Sequence, residues 1–308
     1  MRLRLGTRGS PLALRQSSLV AAALERAGHA VELVTIRTTG DVLTGSLVAA
    51  GGKGLFVKEI EEALLARKID FAVHSLKDMP AALPAGLALV ATPAREDPRD
   101  VLVTPAPVEG LAGLAAGARV GTSSARRQAQ LAACRPDVAT VALRGNVDTR
   151  LRKLAAGDVD AILLAAAGLR RLGLTPPAMH VLDAAEFVPA IGQGALALEA
   201  RVDDAAVRAA LRALDDPPSA AAVAAERAFL LAVGGDCQTP LAAHATVAGD
   251  RLGMRALVAE YDGSALLADD VTGAVHEAAT LGERLAHALL GRGAADMIAR
   301  ARRAAAHA

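Results

Sequence analysis

Short apolar runs alternate with amphipathic stretches along the first third of the chain. Arg2 to Gly6, Ala30 to Arg37 and Asp70 to Ser75 have the length and apolar pattern of strands. The first helical pattern begins at Ser10 as N-cap with Pro11 in its first position, and Gly28 closes it. Strands that alternate with helices in this way predict βαβ units on a mainly parallel sheet.

A second unit of the same kind follows a Pro-rich, charged passage. RVGTS, TVALRG and AILLAAAG each predict a strand, and the first two lead into helices that begin SSARRQAQL and NVDTRLRKL. The later segment FVPAIGQGALALEAR has two glycines around Gln193 and then an apolar run. We expect the chain to cross back to the first unit there.

The pattern changes at Asp215, where an Ala-rich helix precedes three strand patterns and a final helix. This arrangement predicts a small α+β domain. We therefore expect an α/β protein of three domains: residues 1–94 with 195–214, residues 95–194, and residues 215–308.

Composition narrows the class of protein. Of the 308 residues, 53% are apolar and only 2% aromatic, so aliphatic side chains must fill the cores. The net charge of +1 excludes a globally basic nucleic-acid binder. The start lacks a signal peptide, no apolar run is long enough to cross a membrane, and two distant cysteines offer neither a disulfide framework nor metal-ligand spacing. We expect a cytoplasmic, soluble protein without a metal site.

Arginines recur where strands end and helices begin, which is where ligands bind in open α/β sheets. A helix N-terminus carries partial positive charge, so an arginine there makes sense when an anion meets both. The alternative is that these side chains extend into water. Taken as a set, they favour an anion-binding cleft; they are Arg8, Arg126, Arg127, Arg144, Arg150, Arg170 and Arg171.

The segment VHSLKDMP places Lys77 and Asp78 at the end of a predicted buried strand. Charges there are costly to desolvate unless they have partners or a function. Asp78 alone could cap the next segment or pair with Lys77, but its position at the same edge as the arginines favours a functional role.

GGKG and the two cysteines carry weaker signals. GGKG lacks the spacing of a Walker loop, so a mobile Gly-rich loop near the cleft explains it equally well. Cys134 lies on a helical pattern, and we expect a buried structural thiol. Cys237 lies in a turn-rich loop beside Asp236, whose charge argues against a fast catalytic thiolate.

An ordered set of motifs spans most of the chain: GTRGSPLALRQ, GGKGLFVKE, VHSLKDMP, EDPRD, VGTSSARRQAQL, RGNVDTRL, GLRRLGL, IGQGALALE and GGDCQTPL. Together they resemble the hydroxymethylbilane synthase (porphobilinogen deaminase) family. The resemblance implies two domains like a periplasmic binding protein with the active cleft between them, and a third domain that carries a cysteine.

The resemblance implies a transferase of porphyrin and haem biosynthesis that joins four porphobilinogen molecules head to tail, with loss of ammonia, into the linear tetrapyrrole hydroxymethylbilane. Asp78 matches the family's catalytic aspartate, whose carboxylate stabilises the cation left when ammonia departs and helps to move the proton. Cys237 matches the residue that holds the dipyrromethane cofactor by a thioether.

Further binding residues follow from the same resemblance, because each pyrrole bears an acetate and a propionate. The cofactor-binding positions are Lys77, Ser75, Thr122, Ser123, Arg126, Arg127, Arg144 and Arg150. The substrate-binding positions are Arg8, Lys53, Arg171 and Gln193.

The chain departs from the family pattern at three positions: Asp236 and Asp148 stand where glycine is common, and Ala125 stands where leucine is usual. None of these changes removes a reacting group. Asp148 adds a negative charge near the binding arginines.

Two other functions are compatible with parts of the sequence. A non-catalytic two-lobed binding or sensing protein for a carboxylate-rich ligand predicts no covalent group on Cys237. An acyl or phosphoryl transferase using Cys237 or GGKG lacks a suitably placed histidine or a metal-binding cluster. The only partner expected is the small-molecule substrate, with no nucleic acid or membrane, and a monomer is expected.

Overall fold

The computed structural model describes residues 1–42, 54–235 and 239–307, and three sheets organise these residues. The strands are β1 Arg2–Thr7, β2 Ala30–Thr35, β3 Phe71–Ser75, β4 Leu87–Ala91, β5 Asp100–Val103, β6 Arg119–Gly121, β7 Ala139–Val141, β8 Ala161–Ala165, β9 Met179–Val181, β10 Leu196–Arg201, β11 Leu241–Ala248, β12 Arg251–Ala259 and β13 Leu266–Ala274. The α-helices are α1 Pro11–Arg26, α2 Thr39–Val42, α3 Lys58–Leu65, α4 Ala125–Cys134, α5 Val147–Ala155, α6 Ala166–Leu172, α7 Ala205–Arg212, α8 Pro217–Val233, α9 Ala278–Leu289 and α10 Ala295–His307.

The first sheet has the strand order β2-β1-β3-β10-β4. Alternation in β1 buries Leu3 and Leu5 completely. The Ser10 Oγ accepts a hydrogen bond from Ala13 N at 3.3 Å, and Pro11 opens α1 as predicted, because proline needs no N–H partner there. The apolar side of α1 then packs on the sheet, with Leu24 fully buried.

The second sheet repeats this arrangement with the order β7-β6-β8-β5-β9. In each sheet the first three strands in this order are parallel to one another. The fourth strand, β10 in the first sheet and β5 in the second, is antiparallel to both of its neighbours. These two are the strands with which the chain arrives from the other unit, so they run opposite to the local βαβ strands. The prediction of mainly parallel sheets missed this feature.

The last unit is a three-stranded antiparallel sheet, β11-β12-β13, covered by α8 and α9. Phe229, Leu252 and Leu285 lie in its core and are at most 2% exposed. The predicted fold class, two α/β units followed by a small α+β unit, is confirmed. Within the described ranges, no helix combines the length and apolar character that a membrane crossing requires.

Candidate active site

Lys77 and Asp78 lie in a short 3-10 turn, Leu76–Asp78, directly after β3. Leu76 anchors the turn: its side chain is 1% exposed, and its N–H donates to Ala195 O at 3.1 Å. The adjacent Asp78 side chain is exposed and has no hydrogen bond or ion pair within the described ranges. A carboxylate held on a rigid turn with its oxygens open is available to a ligand.

Lys77 reaches the segment that returns the chain to the first sheet. Its Nζ donates to Gln193 Oε1 at 3.4 Å. Burial of the ammonium and the nearby positive charge of Arg127 lower the pKa of Lys77 to about 8, although Asp78 acts in the opposite direction. The group therefore exchanges its proton near physiological pH.

Ser75 is the last residue of β3 and contacts α1 across the sheet edge. Its Oγ accepts a hydrogen bond from Gln16 Nε2 at 2.8 Å. This contact fixes the strand end from which the turn of Lys77 and Asp78 departs.

Arg126 and Arg127 share one buried carboxylate, Asp100, at the start of β5. Arg126 Nη1 lies 2.7 Å from Asp100 Oδ2, and Arg127 Nη2 lies 2.6 Å from Asp100 Oδ1. Arg126 also donates to Val188 O at 2.8 Å, and Arg127 to Leu163 O at 2.9 Å. Burial acts to raise the pKa of Asp100, but the two guanidinium groups hold it far below its usual range. The arginines predicted at this helix start thus face inward, and each residue is 5% exposed.

The loop before α4 supplies the polar contacts Thr122 and Ser123. Ser124, not Ser123, is the N-cap, and its Oγ accepts from Arg127 N at 3.5 Å. Thr122 is fully buried and its Oγ1 accepts from Ser124 N at 3.2 Å, whereas Ser123 is exposed. Only Ser123 of this pair presents its hydroxyl outward.

Arg144 and Arg150 follow β7 on either side of the start of α5. The Asn146 side chain caps this helix by accepting from Thr149 N at 3.0 Å. Arg150 Nε donates to Gly145 O at 2.9 Å. Burial and the positive charge of Arg127 lower the pKa of Arg150 to about 10, while Asp78 raises it. Arg127 and Asp78 therefore both lie close enough to Arg150 to act on it electrostatically. Arg144, six residues earlier in the chain, is exposed.

Gln193 and Arg171 meet at the crossing between the two units. Gln193 Nε2 donates to Pro98 O at 2.6 Å and to Asp100 Oδ1 at 3.1 Å. Arg171 Nη2 donates to Gly194 O at 2.6 Å, and burial lowers the pKa of its guanidinium. Both side chains fasten the crossing segment to the second unit.

Arg8, directly after β1, already has an anionic partner. Its Nη2 lies 2.5 Å from Asp41 Oδ1, and its guanidinium carbon lies 4.2 Å from the centre of the Phe56 ring. A ligand carboxylate must share this guanidinium with Asp41 or displace it.

Lys53 and Cys237, two predicted site residues, lie outside the described residues, as does Asp236. The expectation that Cys134 is a buried thiol is wrong: its side chain is exposed near the end of α4, where its Sγ lies 3.5 Å from Leu131 O. Cys134 is the last residue of α4, whereas the buried residues of this helix end at Leu131.

Sequence reasoning missed two buried carboxylates, Asp100 and Glu226. Glu226 is fully buried on α8 and accepts from Arg95 Nη1 at 2.7 Å and from Gly192 N at 2.6 Å. The available signal was an acid at the border of apolar residues: Asp100 directly precedes the buried run Val101 to Val103, and Glu226 interrupts an Ala-rich helix. A single charge in such a position requires a buried partner.

The cleft thus combines an open carboxylate, Asp78, with cations that keep part of their hydrogen-bonding capacity. Arg127 uses three of the five N–H groups that a guanidinium carries. Arg126 Nε is buried and without a hydrogen-bond partner in the part of the chain that the structure describes. This donor set fits a ligand that bears several carboxylates and develops positive charge near Asp78. No group of histidine, cysteine, aspartate and glutamate side chains suited to a metal ion occurs among the described residues.

Family models match most of the chain. Residues 3–209 match "Porphobilinogen deaminase, dipyromethane cofactor binding domain", and residues 220–291 match "Porphobilinogen deaminase, C-terminal domain". The chain is similar to the porphobilinogen deaminases of Syntrophobacter fumaroxidans, with 51% identity over 95% of both chains, and Syntrophotalea carbinolica, with 53% identity over 96% of this chain and 95% of the relative.

Solved structures of low sequence similarity also match. An ancestral cationic amino acid solute binding protein has a TM-score of 0.43 and 16% identity, covering 69% of this chain and 87% of its own. An arginine-specific periplasmic binding protein of Salmonella typhimurium has a TM-score of 0.40 and 13% identity, covering 71% of this chain and 93% of its own.

Proposed function

The chain belongs to the porphobilinogen deaminase family, and on that basis we propose which of its residues carry out the reaction. The protein is a transferase that condenses four porphobilinogen molecules, with loss of ammonia, to hydroxymethylbilane, and it uses a dipyrromethane cofactor. A non-catalytic binding or sensing protein is not favoured.

We assign catalysis to Asp78. Positive charge develops on the substrate as ammonia leaves, and a fixed carboxylate nearby lowers the energy of that state. The same carboxylate accepts the proton that is lost when the new pyrrole ring regains aromaticity. The observation that carries this assignment is the exposed carboxylate on the turn after β3, which is close enough to Lys77 and Arg150 to raise the pKa of both and has no ion pair in the described residues.

The carboxylates of the growing chain bind to the surrounding cations and hydroxyl groups. Arg127 and Arg150 offer partly unused guanidinium groups beside Asp78, and Lys77 adds an ammonium. The remaining proposed contacts are Arg8, Arg126, Arg144, Arg171, Ser75, Thr122, Ser123, Gln193 and Lys53.

The dipyrromethane is proposed to attach to Cys237 through a thioether. When bound, it supplies the primer to which substrate units are added. Its carboxylates suit Arg127, which uses three of its five N–H groups within the described ranges, and the neighbouring Arg126. The electrophile for this step is the cationic azafulvene that an aminomethylpyrrole gives when its carbon–nitrogen bond breaks and ammonia leaves. A soft thiol would add to it once, forming the carbon–sulfur bond and releasing the thiol proton to solvent, without an activating base.

The domain division is proposed as predicted, with residues 1–94 and 195–214, residues 95–194, and residues 215–308. It is supported by the strands that build each sheet, because β10 joins the first sheet and β5 the second. A cytoplasmic monomer remains part of the proposal.

The test compares wild type with Asp78→Asn and Cys237→Ala. The Asp78→Asn protein should fold normally and lose at least about 100-fold in turnover, because the uncharged amide cannot stabilise the cation. Intact mass should show two deaminated pyrrole units on wild type and none on Cys237→Ala. Asp160→Asn is the matched control, since Asp160 pairs with Arg119 at the opposite end of the second sheet. Full turnover by Asp78→Asn would remove Asp78 from the mechanism.

A further inference from the structure

Asp100 is the most heavily contacted carboxylate in the second unit. Its Oδ1 accepts from Arg127 Nε at 2.9 Å, from Arg127 Nη2 at 2.6 Å, from Arg126 Nη2 at 3.1 Å and from Gln193 Nε2 at 3.1 Å. Its Oδ2 accepts from Arg126 Nη1 at 2.7 Å. Asp100 is 0% exposed, and protein donors already occupy both of its oxygens, so a ligand does not reach it. It acts on other residues and not on the substrate.

The same carboxylate is the buried counterion of a cationic cluster. Arg126 and Arg127 bring two positive charges to one negative charge, and Lys77 and Arg150 lie close enough for Arg127 to affect both. Asp100 also stabilises the ammonium of Lys77 electrostatically. Without its charge, several cations would face one another with little water to screen them.

Asp100 also determines which edge of each guanidinium remains for a ligand. It takes Nε and one N–H of Nη2 from Arg127, and Leu163 O takes one N–H of Nη1. The two remaining N–H groups of Arg127, one on Nη1 and one on Nη2, are therefore held in fixed positions. Donors held in place before binding lose little conformational freedom when a carboxylate arrives.

The arrangement links the cluster to the crossing segment. Gln193 donates to Asp100 and accepts from Lys77, so one amide side chain connects the buried counterion with the turn that bears Asp78. Asp100 thereby influences the position of Lys77 in the first unit as well as the positions of Arg126 and Arg127 in the second.

We propose that Asp100 is a positioning residue, which orients Arg126 and Arg127 and limits the positive charge of the cleft so that a lengthening carboxylate-rich chain is bound and then released. This inference rests on the proposed function of the cleft. A site with one more net positive charge would hold each added pair of carboxylates more tightly and would delay release of the product.

The test is Asp100→Asn, which removes the charge with little change in shape, beside Asp160→Asn, which removes a charge from an arginine-paired aspartate outside the cleft. We expect Asp100→Asn to show a kcat about tenfold lower with a KM no higher than wild type, and a steeper dependence on ionic strength. Intact mass after limiting substrate should show more protein that retains additional pyrrole units. Asp100→Glu, which keeps the charge, should restore the wild-type salt dependence.

Three results would overturn the proposal. Kinetic constants and salt dependence of Asp100→Asn within twofold of Asp160→Asn would show that the charge has no such effect. A raised KM with unchanged kcat and salt dependence would indicate a structural role only. If Asp100→Asn does not fold, Asp100→Glu decides, because it keeps the charge but displaces the carboxylate by one methylene. A lower kcat with wild-type salt dependence would support the orienting role, and wild-type kcat and KM would exclude it. Failure of the proposed site itself is recognised separately, by full turnover of Asp78→Asn.

Discussion

The guanidinium of Arg95 holds the buried carboxylate of Glu226 at two points, with Nη1–Oε1 at 2.7 Å and Nη2–Oε2 at 3.2 Å. The same carboxylate accepts from Gly192 N and from Ala245 N, at 2.6 and 2.8 Å. Burial alone would raise the pKa of Glu226, but Arg95 and other partners outweigh it and lower the pKa to about 2. One carboxylate thus fastens the C-terminal unit to the crossing segment that carries Gln193.

Glu226→Gln should lower the free energy of unfolding by about 3 kcal/mol, because it leaves the Arg95 charge buried without its counterion. Glu62→Gln is the control, since Glu62 and Lys58 form an exposed pair at 4.0 Å that contributes less than about 0.5 kcal/mol. Denaturant unfolding of both variants measures the difference. Equal effects would show that the Glu226 contact does not stabilise the fold.

Glu61→Gln should remove a pH-dependent loss of stability. Burial and the negative charge of Glu199 raise the pKa of Glu61 to about 7, while His74 acts in the opposite direction. Between pH 4.5, the pKa of Glu61 in the unfolded chain, and about pH 7, the folded protein keeps this proton and the unfolded chain does not. The free energy of unfolding therefore falls as pH rises through this range. The thermal midpoint of Glu61→Gln, relative to that of wild type, should be higher at pH 8 than at pH 5. The exposed neighbour Glu62→Gln should show no such trend. A difference independent of pH would contradict the assignment.

Lys77→Arg should shift the alkaline limit of kcat/KM. In wild type the Lys77 ammonium loses its proton as pH rises through about 8, so kcat/KM should drop up to about tenfold by pH 9. An arginine keeps its charge throughout this range, and its alkaline limb should move to higher pH. Rate profiles measured from pH 6 to 10 distinguish the two proteins. Superimposable profiles would mean that Lys77 does not bind substrate carboxylates.

Gly194→Ala should impair both stability and substrate affinity. Gly194 has φ +85°, and a Cβ there would approach the carbonyl oxygen of Glu96 to 2.2 Å. We expect a cost of about 1–3 kcal/mol and a raised KM, because Arg171 binds Gly194 O and would be displaced. Gly291→Ala, where a Cβ meets nothing within 4 Å, should change stability by less than about 0.5 kcal/mol. Similar melting and KM values for both variants would contradict this account.

The candidate site could be predicted from sequence as a set of residues but not as a set of contacts. The ordered motifs identified Asp78, Lys77 and the arginines, and the structure brings both Asp78 and Arg127 within electrostatic range of Arg150. The roles of those residues stay predictions, as do Cys237 and Lys53, which lie outside the described ranges. Asp100 is the last residue of the motif EDPRD, but that motif gave no role to it, because the sequence does not show that Arg126, Arg127 and Gln193 gather around its carboxylate.

The sequence by itself determined most of the elements, because strand and helix periods and caps are local properties; the short strands β4, β5 and β9 were not predicted. Alternation in β1 and the Ser10–Pro11 start of α1 each depend on a few neighbouring residues. Only the tertiary structure decided which buried charges meet: Asp100 lies 26 residues from Arg126, and Glu226 lies 131 residues from Arg95. A buried charge requires a partner, but nothing near it in the sequence specifies which distant element will supply one.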